Sequence, residues 1–388
     1  MARREIFIIF NFGRDIMSVN GAPQGRYYST HTLRGRAHSS KGASTVRMMA
    51  RIAAAAVVTI ACGCARQAAM IPVPSTAYRF EPTDFGAGKW YKGNTHTHTL
   101  ATDGDSPAEV VASWYKNHGY NFLVLSDHDI LLDLSNVLHL EDSAFRFVPG
   151  EEITGKFGLK PVHLVGFNIS RVVVPLPDTT AAATVQRSVD SVRAAGGVPQ
   201  INHPNFGWAL TEDDLMKVKG VNLFEIHNGH PLVNNEGGGD SPGMEAVWDY
   251  LLSHGKRIYG VASDDAHHFK AEFSPKLANP GKGWVTVRAT NLNPAAITAA
   301  LDAGHFYAST GVELDSIVVK DRDMKINIGQ YKNFKYTTEF IGDNGEVQKT
   351  TGDNPATFHL NRKLTYVRVK IADSNGAKAW TQPVFVIR

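Results

Sequence analysis

The chain has 388 residues, more than one average domain and suited to a single α/β body with an appendage. Hydrophobic residues make up 43% and charged residues 20%, as in ordinary globular proteins, and the formal charge of +3 is unevenly distributed. Residues 1–75 hold 10 Lys and Arg against 2 Asp and Glu; the remainder, with 30 against 35, is net acidic and has no basic stripe, which argues against nucleic acid as a partner.

Both cysteines, Cys62 and Cys64, fall in one short stretch, so the folded body has no disulfide framework and no thiolate ligands. They follow Arg51 and the apolar run Ile52–Ala61. A basic residue, a short apolar run and small residues before a Cys read as an export signal with a lipoprotein-type cleavage site. The run is well short of the ~20 apolar residues of a membrane-spanning helix. Residues 48–75 are therefore expected to be signal and linker, started by Met48 or Met49, with residues 1–47 as an upstream extension. Cys64, preceded by Gly63, is the better lipid acceptor. The expected location is the periplasm or a membrane met only through that lipid anchor. A transit-like or disordered N-terminus with a buried Ala-rich helix is the alternative.

From Tyr91 onward, short β-branched runs alternate with helical patterns, as in βα units. Ser106-Pro107-Ala108-Glu109 reads as a capping box opening a helix that runs to about His118. Phe122–Leu125 is an apolar strand ending in Ser126-Asp127-His128, and Phe145–Val148 ends in Pro149-Gly150-Glu151-Glu152. Val162–Phe167 forms another strand, with His163 inside it. Asp178 begins a helix that stops at Gly196-Gly197, and Val198–Ile201 then runs into Asn202-His203-Pro204. Thr211 with Asp214 caps a short helix before the strand Val221–Ile226. A helix from Ser241-Pro242 precedes the strand Ile258–Ala262, which empties into Ser263-Asp264-Asp265-Ala266-His267. A last unit comprises Trp284–Val287, a helix over Pro294–Ala303, and Phe306-Tyr307. After about Gly311 the helical period disappears, and runs such as Met324–Ile328 and Tyr366–Ile371 alternate as antiparallel strands. Residues 90–310 are thus expected to form a barrel of βα units and residues 311–388 a small sandwich-like β domain.

The chemistry is concentrated in seven patches: His96-Thr97-His98, Asp103, Asp127-His128, Glu151-Glu152, His163, His203 and Asp264-Asp265-Ala266-His267. Most end apolar runs. A barrel of parallel βα units gathers its strand C-termini on one face, so these residues converge in one pocket. That density of carboxylates repels itself unless cations are present, and nitrogen and oxygen ligands without sulfur suit Mn²⁺, Zn²⁺ or Fe²⁺. A lone His-x-His is usually a surface strand; the conjunction points to metal. Asp127 is expected to orient an imidazole. Glu225, His227 and Asn228 end another strand on the same face and are expected to line the substrate pocket. His118, His139, His254 and His305 read as ordinary, and Lys270, Lys276 and Lys282 as solvated loop lysines.

The spacing of these patches resembles the PHP (polymerase and histidinol phosphatase) family of metal-dependent phosphoesterases, related to the amidohydrolases, over about residues 90–310. The resemblance implies a distorted TIM-like (β/α)7 barrel and nine metal ligands. His96, His98, Glu152 and Asp265 would hold one ion. Glu152 would bridge to a second held by His163 and His203. Asp103, His128 and His267 would hold a third, so that two or three divalent ions are expected. Of the doubled acids, Glu152 and Asp265 restore the family's Gly-x-Glu and Asp-x-His spacings, with Glu151 and Asp264 as alternatives. Asp265, His267 and His203 are expected to carry the proton transfers around a metal-bridged hydroxide.

The expected function is an exported hydrolase of small phosphoesters, with diesters favoured over monoesters because the strand ends supply acids, His and Asn but no obvious Arg. Two alternatives stand beside it. One is hydrolysis of a carbamate, amide or carboxylic ester on the same metals; the other is an inert, metal-stabilised binding protein.

Overall fold

A computed structural model describes residues 78–82, 85–270 and 273–387. The expected upstream extension and export signal, with Cys62 and Cys64, lie outside the described residues. No helix among the described residues is long and apolar enough to cross a membrane.

The first part of the described chain runs β1 (Arg79–Glu81), β2 (Lys89–Asn94), α1 (Ala108–Asn117), β3 (Phe122–Leu123), β4 (Arg146–Phe147), β5 (Gly150–Phe157), β6 (Lys160–Phe167), α2 (Ala181–Ala194) and β7 (Val198–Ile201). It continues α3 (Glu212–Lys217), β8 (Leu223–Asn228), α4 (Met244–Ser253), β9 (Tyr259–Ser263), β10 (Trp284–Ala289), α5 (Pro294–Asp302) and β11 (Phe306–Ser309). Eight strands follow: β12 (Leu314–Lys320), β13 (Asp323–Ile328), β14 (Tyr336–Ile341), β15 (Val347–Thr351), β16 (Ala356–His359), β17 (Tyr366–Asp373), β18 (Lys378–Thr381) and β19 (Val384–Ile387).

The helices form where local chemistry and burial agree. In α2 the Thr180 hydroxyl accepts from Ala183 N–H at the N-terminus. Val185, Val189 and Val192 bury one stripe, and Gly196, at φ +82°, stops the run. The expected Thr211/Asp214 capping box is present on α3. The one expected at Ser106 is absent: α1 begins after Pro107 without a side-chain cap, and Ser106 Oγ instead donates to the neighbouring Asp105.

Among the described residues no sheet closes into a barrel, which corrects the expected (β/α)7 closure. One five-stranded sheet runs β5-β6-β7-β8-β9, and β2, β3 and β4 belong to an eleven-stranded sheet. Among the described residues the two sheets share backbone pairing only at Thr97 with Ala266 and His128 with Glu152, and they pack elsewhere through side chains such as Phe122, Val165, Val261 and Val285. Two physical features account for this. Residues 150–167 form an antiparallel hairpin turning at Gly158, where a βα unit was expected, so Glu151 and Glu152 open β5 rather than end the strand before it. At the other seam, Asp265 lies at φ +49°, outside extended backbone, and the ladder stops there.

The eleven-stranded sheet continues into the last part of the chain, because β11 pairs with β18, β18 with β17, and β17 with β14 and β19. β12, β13 and β16 form a separate three-stranded sheet. A buried ion pair fastens β17 to α4. Arg368, 1% exposed, donates from Nε and Nη2 to the two oxygens of Asp249 at 2.6 Å each, and Tyr366 OH donates to the same carboxylate at 2.8 Å. Removing one partner leaves a buried charge unpaired, which costs about 3–5 kcal/mol, whereas removing both does not. Arg368→Met should therefore lower unfolding free energy by about 3–5 kcal/mol in chemical denaturation. The double variant Arg368→Met/Asp249→Leu should lose less than that single variant, and a strictly additive loss would contradict the pairing.

Candidate metal centre

The site forms along the two seams between the sheets. Beyond β2 the chain stays extended, so His96 and His98 project to one side while Thr97 faces the other. Asp265 N–H donates to His96 O and His98 N–H to Ala266 O, both at 2.9 Å, bringing the end of β9 alongside. At the second seam, Asp129 N–H donates to Glu152 O at 2.8 Å. His163 comes from the middle of β6, and His203 from the bend after β7. His203 at φ +24° and Asp265 at φ +49° hold backbone conformations that L side chains rarely adopt, and such strain is characteristic of functional sites.

Glu152 is the centre. It is 1% exposed, and five imidazoles surround its two oxygens. His96 Nε2 and His203 Nε2 lie 3.2 Å from Oε1, and His163 Nδ1 lies 3.3 Å from it. On Oε2, His128 Nδ1 is at 3.0 Å and His98 Nε2 at 3.4 Å. Asp265 Oδ1 lies 3.2 Å from His98 Nε2 and 3.3 Å from His96 Nε2. Asp103, half-exposed on its loop, stands 3.3–3.4 Å from His98, His128 and His267.

Four overlapping groups have ligand atoms within 4.8 Å of one another: His98/Asp103/His128/His267, His96/His98/Asp265, His96/Glu152/His203 and His128/Glu152/His163. The nine residues of the resemblance all take part. The partition differs in several respects: His128 closes on Glu152 as well as on Asp103, His98 also joins the Asp103 group, and His163 and His203 meet Glu152 in separate groups. Both ring nitrogens of His98 and Nδ1 of His163 are buried without a hydrogen-bond partner. Buried, unpartnered nitrogens aimed at carboxylates are what a divalent cation would satisfy, so the residues fit a metal.

The electrostatics agree. Burial alone would raise the Glu152 carboxyl, but His96 and His163 overturn it and hold Glu152 well below the usual carboxylate range. Asp265 is likewise held down against burial, by His96 and His98. Burial opposes charge on His128, yet Asp103 and Glu152 push its pKa up to about 10. The ligand set by itself thus holds protons where cations would sit, so metal and protons compete for it.

The doubled acids separate clearly. Asp264 faces away from the cluster, accepting from Tyr115 OH at 2.9 Å and from the Lys282 and Gly283 backbone at 2.6 and 2.8 Å. Glu151 is buried on the far face of β5 and accepts from Val173 N–H at 2.5 Å. Asp127 does not orient an imidazole; it accepts from Thr99 N, Thr99 Oγ1 and Thr102 Oγ1 and so pins the turn that carries Asp103.

Of the three residues expected to line the substrate pocket, Glu225 lies elsewhere, whereas His227 and Asn228 wall a second cavity beside the metal site. Glu225, 1% exposed, lies beneath the site: Oε1 bonds His96 Nδ1 at 2.8 Å and Oε2 accepts from His203 N–H at 2.7 Å, so it orients a ligand. Asn228 donates to Glu225 at 2.8 Å and to Asp265 at 3.2 Å, holding the latter in place. A β-bulge between Glu225 and His227 turns His227 away, against Trp380, with ring centroids 5.9 Å apart.

A cavity of 290 Å³ opens onto Asp103, Glu152, Asp265 and His267, walled also by Phe206 and His230. His230 was not singled out in the sequence. Its signal was there, because His230-Pro231 two residues past a strand repeats the His203-Pro204 pattern. Asn202, whose Nδ2 donates to Glu152 at 2.8 Å, and Thr154, whose hydroxyl meets His128 Nδ1 at 2.6 Å, left no such mark.

No protein-family model matches the sequence, and no curated protein matches it. Among solved structures the chain is similar to a two-domain protein from Bacteroides vulgatus containing a predicted PHP-like metal-dependent phosphoesterase (14% identity, 76% of this chain and 87% of that one, TM-score 0.44). It is similar to a lesion-specific endonuclease from Pyrococcus furiosus (14% identity, 55% and 56%, TM-score 0.37). It is also similar to an amidohydrolase from Chromobacterium violaceum with bound sulfate and no metal (15% identity, 48% and 93%, TM-score 0.32). At overlaps of this size the functional case rests on the site itself.

If Glu152 is the shared ligand, Glu152→Ala should lose metal by elemental analysis, while Glu151→Ala keeps it. Asp265→Ala should lose metal, whereas Asp264→Ala should keep it in whatever fraction stays folded, with a lowered melting temperature. Metal loss following Glu151 or Asp264 instead would contradict the assignment.

Proposed function

We propose that this chain is a metal-dependent hydrolase of small phosphoesters, favouring diesters over monoesters. The observation that carries the reading is the buried Glu152 carboxylate among five imidazoles, with His98 and His163 nitrogens unpartnered beside it. His96, His98 and Asp265 would hold one ion, and Glu152 with His163, His203 and His128 a second. Asp103, His128 and His267 supply a third set of ligand atoms. When bound, Mn²⁺, Zn²⁺ or Fe²⁺ in this setting polarises a phosphoryl oxygen and acidifies water.

The chain's own residues do the rest. Asp265, ionised and at the cavity wall, is placed to take a proton from the attacking water. His203 and His267 line the same cavity; His203 is taken up as a ligand, and His267, whose third set of ligand atoms need not be used, is the candidate to protonate the leaving oxygen. Glu225 and Asn228 keep His96, His203 and Asp265 from turning. The cavity wall includes no Lys or Arg, so the single charge of a diester is matched more readily than the two of a monoester. In the metal-loaded protein, kcat/KM for a small aryl phosphodiester should exceed that for the matched monoester. The reverse order would overturn the preference, and faster cleavage of a carboxyl or carbamate ester would move the protein to acyl chemistry.

We also propose export, on residues 48–64 alone. Expression from Met48 or Met49 in a bacterium should give a lipid-modified, membrane-attached product. A cytoplasmic product with an intact N-terminus would contradict it.

A further inference from the structure

The loop after β8, residues 229–235, separates two cavities. On one side is the 290 Å³ cavity over Glu152 and Asp265; on the other is one of 730 Å³, and His230 and Val233 belong to the walls of both. The second cavity has a different chemistry. Rings from His227, Phe273 and Trp380 line it, together with Pro231 and Pro275. Trp380 is 2% exposed with His227 stacked on it, so it stiffens the wall from behind, while Phe273, 55% exposed, stands at the mouth and is the ring free to meet a ligand. Its cations are already engaged within the protein: Lys378 Nζ lies 3.2 Å from Glu236, and Lys282 Nζ donates to Leu277 O. An exposed ring at the mouth beside Pro231 and Pro275, with Lys378 paired and Lys282 held by a carbonyl, suits a planar, uncharged group.

His230 stands on the ridge between the cavities with its tautomer fixed by the backbone. Leu232 N–H donates to Nδ1 at 3.2 Å, so Nδ1 is an acceptor and the ring's proton is on Nε2. The His230 backbone N–H donates to Asn228 Oδ1 at 2.8 Å, which anchors the loop to the residue that also holds Asp265. Among the described residues no hydrogen bond is found to His230 Nε2. Its ring is 5.4 Å from that of His267 and 6.5 Å from that of Phe206, at the rim of the metal pocket.

We propose that the second cavity seats the leaving group of the substrate, a planar aromatic alcohol, and that His230 Nε2–H donates a hydrogen bond to the ester's bridging oxygen. This rests on the phosphoester reading above. In the reaction, water oxygen forms a bond to phosphorus as the bond to the aromatic alcohol's oxygen breaks. Water loses a proton to Asp265, and the departing oxygen gains one from His267. His230 keeps its proton and only steadies the oxygen on which negative charge grows.

The test compares methyl naphthylmethyl phosphate with dimethyl phosphate, whose leaving alcohols are of similar acidity, in the metal-loaded full chain. The naphthylmethyl ester should have a kcat/KM at least about tenfold higher, and Phe273→Ala should reduce that preference by about two- to tenfold, the scale of a lost aromatic contact. His230→Leu should lower kcat on both esters with metal content unchanged, and His230→Gln, which keeps an N–H donor, should recover much of it. Calorimetric binding of naphthylmethanol, which needs no hydrolysis, separates the two claims. If naphthylmethanol binds wild type, binds Phe273→Ala more weakly, and neither ester is turned over, the cavity assignment stands and the phosphoester reading fails. If naphthylmethanol does not bind, or the two esters are cleaved alike, the cavity assignment is overturned.

Discussion

A carboxylate removed from water among five imidazoles is the constraint on which the rest of the structure depends. Glu152 is nearly inaccessible, and a lone ionised carboxyl at such depth is costly enough that it would ordinarily neutralise. Its surroundings force the opposite outcome, because the histidines hold it ionised while Glu152 and its fellow carboxylates hold histidines protonated. Such an arrangement is satisfied either by protons shared across the cluster or by cations replacing them. The unpartnered nitrogens of His98 and His163 show that protons alone leave it incompletely satisfied.

The fold is organised around the need to bring those groups together. Neither sheet supplies the site alone: His96, His98 and His128 come from the continuation of the eleven-stranded sheet, whereas Glu152, His163, His203 and Asp265 come from the five-stranded one. Their shared backbone ladder is confined to two single pairings, and side chains, Phe122, Val165, Val261 and Val285 among them, fill the rest of the junction. Beneath it lies a layer of uncharged and acidic anchors. Glu225 ties His96 to the His203 backbone, Asn228 ties Glu225 to Asp265, and Asp264 ties Tyr115 to the loop at Lys282. His96, His203 and Asp265 are thereby fixed from behind, as a metal centre requires if its geometry is to be set before the ions arrive.

Much of this was legible in the sequence, for identifiable reasons. Metal-type residues that end apolar runs stand out because strand interiors tolerate few of them, so all nine expected ligands fall in the cluster. Of the doubled acids, the resemblance favoured Glu152 and Asp265 with Glu151 and Asp264 left open, and the geometry places Glu152 and Asp265 inward. The (β/α)7 closure was not legible, since the hairpin at Gly158 joins two apolar runs that read equally well as strands of separate units. Nor were the roles of Glu225, His227 and Asn228. Their place at a strand end suggested the face they share, but a bulge after Glu225 changes which way each points, and a sequence does not display a bulge. His230-Pro231 repeats the His203-Pro204 pattern two residues past a strand, but the loop's position depends on the Asn228 side chain, which the sequence does not show.

The measurement that bears most directly on this account is the metal content of the purified chain, taken together with the effect of chelation on its hydrolytic activity. The account predicts at least two transition-metal ions per chain, activity abolished by a chelator, and activity restored by Mn²⁺ or Zn²⁺. Fewer than one ion per chain, with activity unchanged after chelation, would contradict it.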